Sequence, residues 1–335
     1  MYRALVIFTT LLTFAVVVIG AFVRLSDAGL GCPDWPGCYG QISPAHAEEH
    51  ISEAVSAQGG THGPVSLPKA WKEMIHRYLA GSLGLLLLGI AVLAWKKRRE
   101  LNQSPWLPTL IVGVVILQAA LGMWTVTMLL KPVIVTLHLI GGMTILALLT
   151  WHALRQIRME PAKPTEHVAR LRPLLLLGLI AAGVQIVLGG WVSSNYAALA
   201  CTDLPTCHGA WMPDMDFDHA FHVFRELGMT AQGDLLPMNA LVAIHWMHRV
   251  GAVILSVLSL YIVLRLMRFA DLRRLGWLLA IILVTQFSLG LLNVFLSLPL
   301  PIAAAHNAGA AALLVTYVVL NYAAHLAAVS RFRFV

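Results

Sequence analysis

Charged residues are scarce in this sequence: 12% of its 335 residues are Asp, Glu, Lys or Arg, whereas 59% are apolar and the mean hydropathy is +0.77. A soluble domain carries roughly 25% charged residues, so the composition excludes a soluble, a disordered or a nucleic-acid-binding protein. Cysteine is scarce as well. Four cysteines without a C-x2-C…C-x2-C pattern exclude a disulfide-built scaffold and a zinc framework. The sequence therefore predicts an integral membrane protein.

The apolar residues are concentrated in long runs. A helix that crosses the hydrocarbon layer needs about 20 apolar residues and satisfies its own backbone groups there. Eight runs meet that need, at 4–23, 74–95, 106–128, 132–151, 172–192, 240–264, 276–298 and 301–326. The first run has a full-length counterpart later in the chain, which argues against a cleaved signal peptide. We expect an all-α protein with eight transmembrane helices.

The positions of the basic residues predict the orientation of these helices. Lys and Arg are enriched on the cytoplasmic side of membrane proteins. Here 16 of the 23 basic residues fall in the termini and in the connections on the same side. We therefore expect cytoplasmic termini and a multi-pass protein of the bacterial inner membrane. The two long external loops, 24–72 and 193–239, contain all four cysteines, and disulfides persist on that oxidising side.

The second half of the sequence repeats the first at an offset of 168–172 residues. Residues 20–40 match residues 189–209 at nine of 21 positions. The most informative matched pairs are Gly20/Gly189, Cys32/Cys201, Cys38/Cys207, His76/His248, Arg77/Arg249, Gln118/Gln286, Gly122/Gly290, His138/His306 and Gly141/Gly309. Each half, 1–158 and 159–335, is predicted to form a four-helix bundle. Four crossings return the chain to its starting side, so we expect two tandem, pseudo-symmetric bundles of parallel topology.

Four histidines of the repeat are candidate haem ligands. His76, His138, His248 and His306 lie in even-numbered runs, within roughly 12 Å of the outer surface at about 1.5 Å per residue. Polar side chains inside a membrane are costly and usually mark function. No acidic or thiolate ligand accompanies the two imidazoles of each half, and haem iron takes an axial imidazole on each face. The sequence therefore predicts one bis-histidine haem iron site per half, toward the outer face.

An arginine follows the first histidine of each half. Arg77 and Arg249 are predicted to contact haem propionates through planar, charge-assisted hydrogen bonds. The alternative is a long side chain that extends toward the membrane surface.

The two halves differ at one position beside these histidines. Glu73 lies three residues before His76, on the same helical face, and its counterpart in the second half is His245. One half therefore has a carboxylate beside its candidate haem, which indicates one catalytic site and one electron-transfer site. The alternative is that Glu73 is only a hydrated carboxylate at the membrane interface.

The external cysteines form two pairs of identical spacing, C-x5-C. Cys32 and Cys38 enclose Pro36, and Cys201 and Cys207 enclose Pro205; proline favours a turn in such a short loop. A structural disulfide in each loop is one interpretation. A role in redox chemistry or in haem handling is the other.

With these residues the chain resembles the haem A synthase family of bacterial and mitochondrial membranes, over essentially its whole length. The motifs that carry the resemblance are Val23-Arg24-Leu25, Gly29-Leu30, Cys32-Pro33-Asp34-Trp35-Pro36-Gly37-Cys38, Glu73-Met74-Ile75-His76-Arg77, Leu137-His138, His248-Arg249 and Ala305-His306. The resemblance implies oxidation of the C8 methyl group of haem O to the formyl group of haem A.

The resemblance also implies roles for individual residues and for partners. It places the substrate haem between His76 and His138, a resident haem B between His248 and His306, and the functional glutamate at Glu73. By the same analogy we expect a neighbouring membrane enzyme that makes haem O, and a separate electron donor. A homo-oligomer is compatible with the sequence.

Two other functions share some of these features. A diheme cytochrome b-type electron-transfer subunit would have the same histidine pairs, but it leaves Glu73 and the cysteine loops unexplained. A membrane disulfide or quinone oxidoreductase would use the cysteines and need no haem.

Overall fold

The computed structural model describes residues 1–60, 62–157 and 170–331. The predicted boundary between the halves, at residues 158 and 159, lies outside the described residues. Eight helices in this part of the chain are long and apolar enough to cross a membrane. We number them α1 (Tyr2–Leu25), α2 (Leu67–Lys96), α3 (Trp106–Thr127), α4 (Pro132–Ile157), α5 (Arg172–Ser194), α6 (Met238–Met267), α7 (Arg273–Phe295) and α8 (Leu300–Arg331).

The all-helical prediction and the number of spanning helices are therefore confirmed. The regular structure in the described residues is helical, apart from isolated bridges in the loops. Two further α-helices, Glu48–Ala57 and Phe217–Ala220, lie in the two long external loops.

Helix α2 begins seven residues earlier than the apolar run predicts. Lys69, Lys72 and Glu73 lower the hydropathy of this segment, so hydropathy alone places the start at residue 74. The backbone is nevertheless helical from Leu67, because the Ser66 side chain accepts a hydrogen bond from the Lys69 N–H and a proline occupies the first turn. His76 therefore lies in the third turn of a longer helix.

The helices contact one another in two closed rings. In the first half α1 and α3 each contact α2 and α4, and in the second half α5 and α7 each contact α6 and α8. Contacts between the halves join α1 to α8, α4 to α5 and α4 to α8. Helices α1, α4, α5 and α8 thus lie at the centre of the molecule.

Two short turns connect the last helices of each half in the same way. Leu129 and Leu130 between α3 and α4 have positive φ, and so do Ser297 and Leu298 between α7 and α8, one repeat later. Positive φ is uncommon for residues other than glycine. The turn also ends α7 at Phe295, three residues before the predicted end, because the left-handed backbone cannot continue the helix.

Apolar packing fills one end of each ring and leaves the other end open. In the first half Val6, Leu87, Ile90 and Leu149 are among the buried core residues. In the second half the corresponding cluster includes Leu175, Ile262, Leu266 and Tyr317. These residues lie on the helix segments farthest from the disulfide loops. The histidines lie at the opposite, less densely packed end.

Candidate functional site

One large cavity occupies the end of the helices that carries the external loops. Its volume is about 1550 Å³, and residues of both halves line it. Pockets for a single small ligand measure roughly 300–1,000 Å³, so this cavity has room for more than one large ligand. The lining is mostly apolar, and all four candidate histidines lie in it.

The histidines lie near one another in the predicted pairs. His138 is close enough to His76, and His248 to His306, for a charge on one imidazole to act on the other. Within the described part of the chain, the Nε2 atoms of His76, His138 and His248 have no hydrogen-bond partner. In His306, Nε2 lies 3.4 Å from an amide nitrogen of Gln286. A ring nitrogen directed into the cavity is what an axial iron ligand requires.

Each imidazole is packed against a glycine of the neighbouring helix. A Cβ atom added at that glycine would lie 2.7–3.1 Å from the Cε1 atom of the ring. The glycine–histidine contacts are Gly20–His76, Gly122–His138, Gly189–His248 and Gly290–His306. The repeat matches these glycines in pairs, but the sequence did not reveal their role. These four positions are glycine because the Cβ atom of any other residue would collide with the imidazole ring.

The donor set fits haem better than a bare metal ion. Among the residues that the structure describes, no three His, Cys, Asp or Glu side chains are grouped so that they could hold a metal ion. Two opposed imidazoles and a wide apolar cavity do fit a planar macrocycle whose iron takes one nitrogen on each face. His76 and His138, and likewise His248 and His306, are the residues that would hold it.

Arg77 and Arg249 donate most of their hydrogen bonds to the disulfide loops. Arg77 Nη1 donates to the carbonyl oxygens of Asp34 and Gly37, at 2.7 and 2.5 Å. Arg249 Nη1 donates to those of Asp203 and Thr206, both at 2.8 Å, and its Nη2 to Cys201. The two arginines therefore hold the external loops onto α2 and α6. Contact with propionates stays a prediction.

Glu73 and His245 occupy equivalent positions and make equivalent contacts. Glu73 accepts a 2.9 Å hydrogen bond from the Cys32 N–H and forms an ion pair with Arg77. His245 Nδ1 lies 3.3 Å from the Cys201 amide nitrogen, and its Nε2 lies 3.3 Å from Arg249 Nε; a neutral imidazole accepts a hydrogen bond at only one of these atoms. Both ring nitrogens of His245 thus have a polar neighbour outside the cavity. His248, one turn later, is the histidine of this pair with a ring nitrogen toward the cavity.

Both cysteine pairs are disulfide-bonded, Cys32 to Cys38 and Cys201 to Cys207. An aspartate at the equivalent position of each loop accepts hydrogen bonds from that loop's own backbone. Asp34 accepts from the N–H groups of Tyr39 and Gly40, and Asp203 from those of His208 and Gly209. Hydrogen bonds from Thr206 Oγ1 and from the Gly209 N–H hold the pKa of Asp203 well below its usual range.

A polar contact that the sequence did not predict joins the two halves beside the cavity. Arg24 donates to the Ser193 carbonyl at 2.7 Å, and Tyr196 Oη donates to Asp27 at 3.0 Å. The Arg24 guanidinium also stacks over the Tyr196 ring. Both hydrogen bonds join residues 169 positions apart, which is the repeat offset itself. Equivalent positions of the two halves therefore meet here.

The fold and the site define a class: a multi-span, all-helical membrane protein with two pairs of imidazoles that line a common cavity. The chain belongs to the COX15-CtaA family of cytochrome oxidase assembly proteins, whose family model matches residues 3–318. The resemblance that the motifs indicated is thus confirmed.

Individual relatives support the same assignment over most of the chain. The sequence is 45% identical to the haem A synthase of Shewanella oneidensis over 314 residues, which are 94% of each chain. It is 26% identical to the haem A synthase of Halalkalibacterium halodurans over 87% of each chain. It is also 26% identical to that of Rhizorhabdus wittichii, over 90% of this chain and 88% of the relative.

The glycine contacts predict a loss of bound haem on overpacking. A valine at Gly189 would place its Cβ 3.0 Å from the His248 ring, and overpacking costs about 1–3 kcal/mol. Since 1.4 kcal/mol is tenfold in affinity, we expect the haem content per protein to fall by about tenfold. The measurement is the low-spin haem absorbance of purified protein. Gly183→Val on the same helix is the control, because a Cβ there meets no atom within 4 Å. Equal haem loss in both variants would contradict the packing role.

The disulfides predict protection of the cysteines. In the native, non-reduced protein, all four cysteines should resist thiol alkylation, and they should react after reduction and unfolding. Mass spectrometry of the peptides that contain Cys32, Cys38, Cys201 and Cys207 provides the measurement. Labelling of Cys32 and Cys38 without reduction would show that the first bridge is absent.

Proposed function

We propose that this chain is a haem A synthase, which oxidises the C8 methyl group of haem O to a formyl group by successive hydroxylations. The observation that carries the proposal is the asymmetry of an otherwise duplicated site: both halves offer an imidazole pair, but a carboxylate, Glu73, accompanies only the first. Family membership and the names of the relatives support the same activity. A diheme electron-transfer subunit would give no reason for the asymmetry.

The two halves have different tasks in this proposal. The first, 1–158, binds haem O between His76 and His138, and the second, 159–335, binds haem B between His248 and His306. Two observations support two tandem, pseudo-symmetric bundles: the closed ring of helix contacts in each half, and the contacts between equivalent residues where the halves meet. Bound haem B would supply one-electron redox chemistry.

The cavity residues of the first half bind and orient the substrate. His76 and His138 fix the iron, and the apolar lining excludes water from the methyl group. Each of two hydroxylations replaces one C–H bond of the methyl carbon with C–OH, and each consumes one molecule of dioxygen as the oxidant together with two electrons and two protons, so that the second oxygen atom leaves as water. The resulting hydrated aldehyde then loses water to leave the formyl group. Glu73 accepts or donates the protons of these steps at its carboxylate oxygens. Arg77 and the Cys32 N–H hold that carboxylate in place.

The position of the cavity supports a site toward the outer face of the bacterial inner membrane. The cavity lies at the end of the helices that carries both disulfide loops, and disulfides belong to the oxidising side. Cytoplasmic termini follow from this orientation. The substrate would come from a neighbouring membrane enzyme that makes haem O, and the electrons from a separate donor.

Loss of either second-half ligand should remove the resident haem. His248→Ala and His306→Ala each delete one of the two axial bonds, so we expect haem B in the purified protein to fall sharply in both. The measurement is extraction of the haems and their identification by mass. The same extraction from the parent protein distinguishes the functions, since a simple cytochrome would contain haem B only. Normal haem B content in both variants would contradict the two-half assignment.

Variants of Glu73 separate catalysis from its structural contacts. Glu73→Gln keeps the size of the side chain but exchanges no proton. Glu73→His copies His245, which makes the equivalent loop contacts. We expect folded proteins in which the oxidation slows by about 10²–10⁴-fold, with haem O or its hydroxylated derivative accumulating in cells. Haem analysis of those cells is the measurement, and His245→Glu is the matched control in the other half. Normal haem A production by both Glu73 variants would leave Glu73 without a catalytic role.

A further inference from the structure

Three of the four cavity histidines share a second contact besides their glycine. A glutamine lies one turn before the glycine on the neighbouring helix, and another glycine lies three residues after the histidine. The three sets are Gln118-x3-Gly122 with His138-x2-Gly141, Gln185-x3-Gly189 with His248-x2-Gly251, and Gln286-x3-Gly290 with His306-x2-Gly309. Because Gln and Gly are four residues apart, they lie on one helical face. We refer to each set as a glutamine clamp.

The glutamines contact the histidines directly. Gln185 Nε2 lies 3.0 Å from both Nδ1 and the carbonyl oxygen of His248. Gln118 Nε2 donates to the His138 carbonyl at 2.7 Å, and Gln286 Nε2 lies 3.4 Å from Nε2 of His306. The glutamine Oε1 atoms are packed against the second glycine of each set, where a Cβ would collide with them. Each clamp therefore fits a side-chain amide between a ligand histidine and a closely approaching backbone.

His76 is the exception, and both clamp positions differ there. Val16 stands where the second half has Gln185, and Leu79 stands where it has Gly251. Val16 is buried, and Leu79 packs against the same apolar cluster. His76 keeps its glycine contact with Gly20, and its Nδ1 is buried without a hydrogen-bond partner, as are those of His138 and His306. Among these four histidines, His76 differs in having no glutamine amide beside its ring or its backbone carbonyl. The glutamine and the second glycine are replaced together, because a glutamine side chain would not fit against Leu79.

We propose that His76 is the exchangeable axial ligand of this protein, which gives up its iron bond when haem enters or leaves, while the three clamped histidines stay fixed. This proposal rests on the proposed function and deepens it. A substrate haem must be released after each turnover, whereas a resident haem must not. Gln185 contacts the second ring nitrogen of His248, and removing such a hydrogen bond from a metal-ligating histidine typically costs about 10- to 100-fold in metal affinity. His76, which no glutamine amide contacts, is accordingly the least constrained of the four ligands.

The test is the rate at which purified holoprotein loses haem to an excess of apomyoglobin, measured by absorbance. The parent protein should show a fast phase, assigned to the first half by its absence in His76→Ala, and a slow phase that is absent in His248→Ala. Val16→Gln/Leu79→Gly installs the clamp at His76 and should slow the fast phase by about 10- to 100-fold. Val16→Leu is the matched control and should leave both rates unchanged.

The converse variant keeps the test decisive if the double variant does not fold. Gln185→Val removes the clamp of His248 and should accelerate the slow phase by about 10- to 100-fold without altering the fast one. The proposal is overturned if Gln185→Val leaves the slow phase unchanged, or if the fast phase belongs to the second half. Mass identification of the released haems tests the proposed function separately. If only haem B is found, the proposed function is wrong. The comparison of the two release rates then still tests whether His76 is the exchangeable ligand.

Discussion

The close approach of an imidazole to a glycine on the neighbouring helix is the contact on which this site depends. Small residues let transmembrane helices pack closely, and here the glycine also sets the position of the ring. A side chain at Gly20 or Gly189 would move either the helix or the histidine. The same glycine contact therefore determines both how closely the two helices pack and where the histidine ring lies. Because this contact occurs four times, the framework of both sites lies in the helices rather than in the loops.

The external loops depend on the same two helices through their arginines. A partly buried guanidinium still needs hydrogen-bond acceptors, and the carbonyl groups of each disulfide loop supply them. The disulfide shortens the loop so that several carbonyls face one side chain. Since Arg77 and Arg249 directly follow His76 and His248, each loop is attached beside a ligand. The loop, the arginine and the histidine therefore form one structural unit in each half.

Composition and periodicity were sufficient to predict the eight helices and the four histidines that line the cavity, because both depend on side chains along one segment. They were insufficient for the start of α2, where Ser66 caps a charged first turn, and for the arginines, whose acceptors are backbone carbonyls. Comparison of the repeats identifies residues that match. It therefore passed over Gln185, whose counterpart is Val16.

Among the residues that surround the four cavity histidines, the differences between the halves described above lie around one histidine. Val16, Glu73 and Leu79 replace Gln185, His245 and Gly251, and all three positions adjoin His76 or its helix. The surroundings of His138 and His306, in contrast, keep the same glutamine and the same two glycines. A duplicated framework that diverges at random would differ on both sides of each cavity. Divergence on the α2 side alone places a carboxylate, Glu73, and a less constrained ligand, His76, on one helix. Under the proposed function, a site that oxidises and releases its haem needs both a proton-exchanging group and an exchangeable ligand, whereas a site that keeps its haem needs neither.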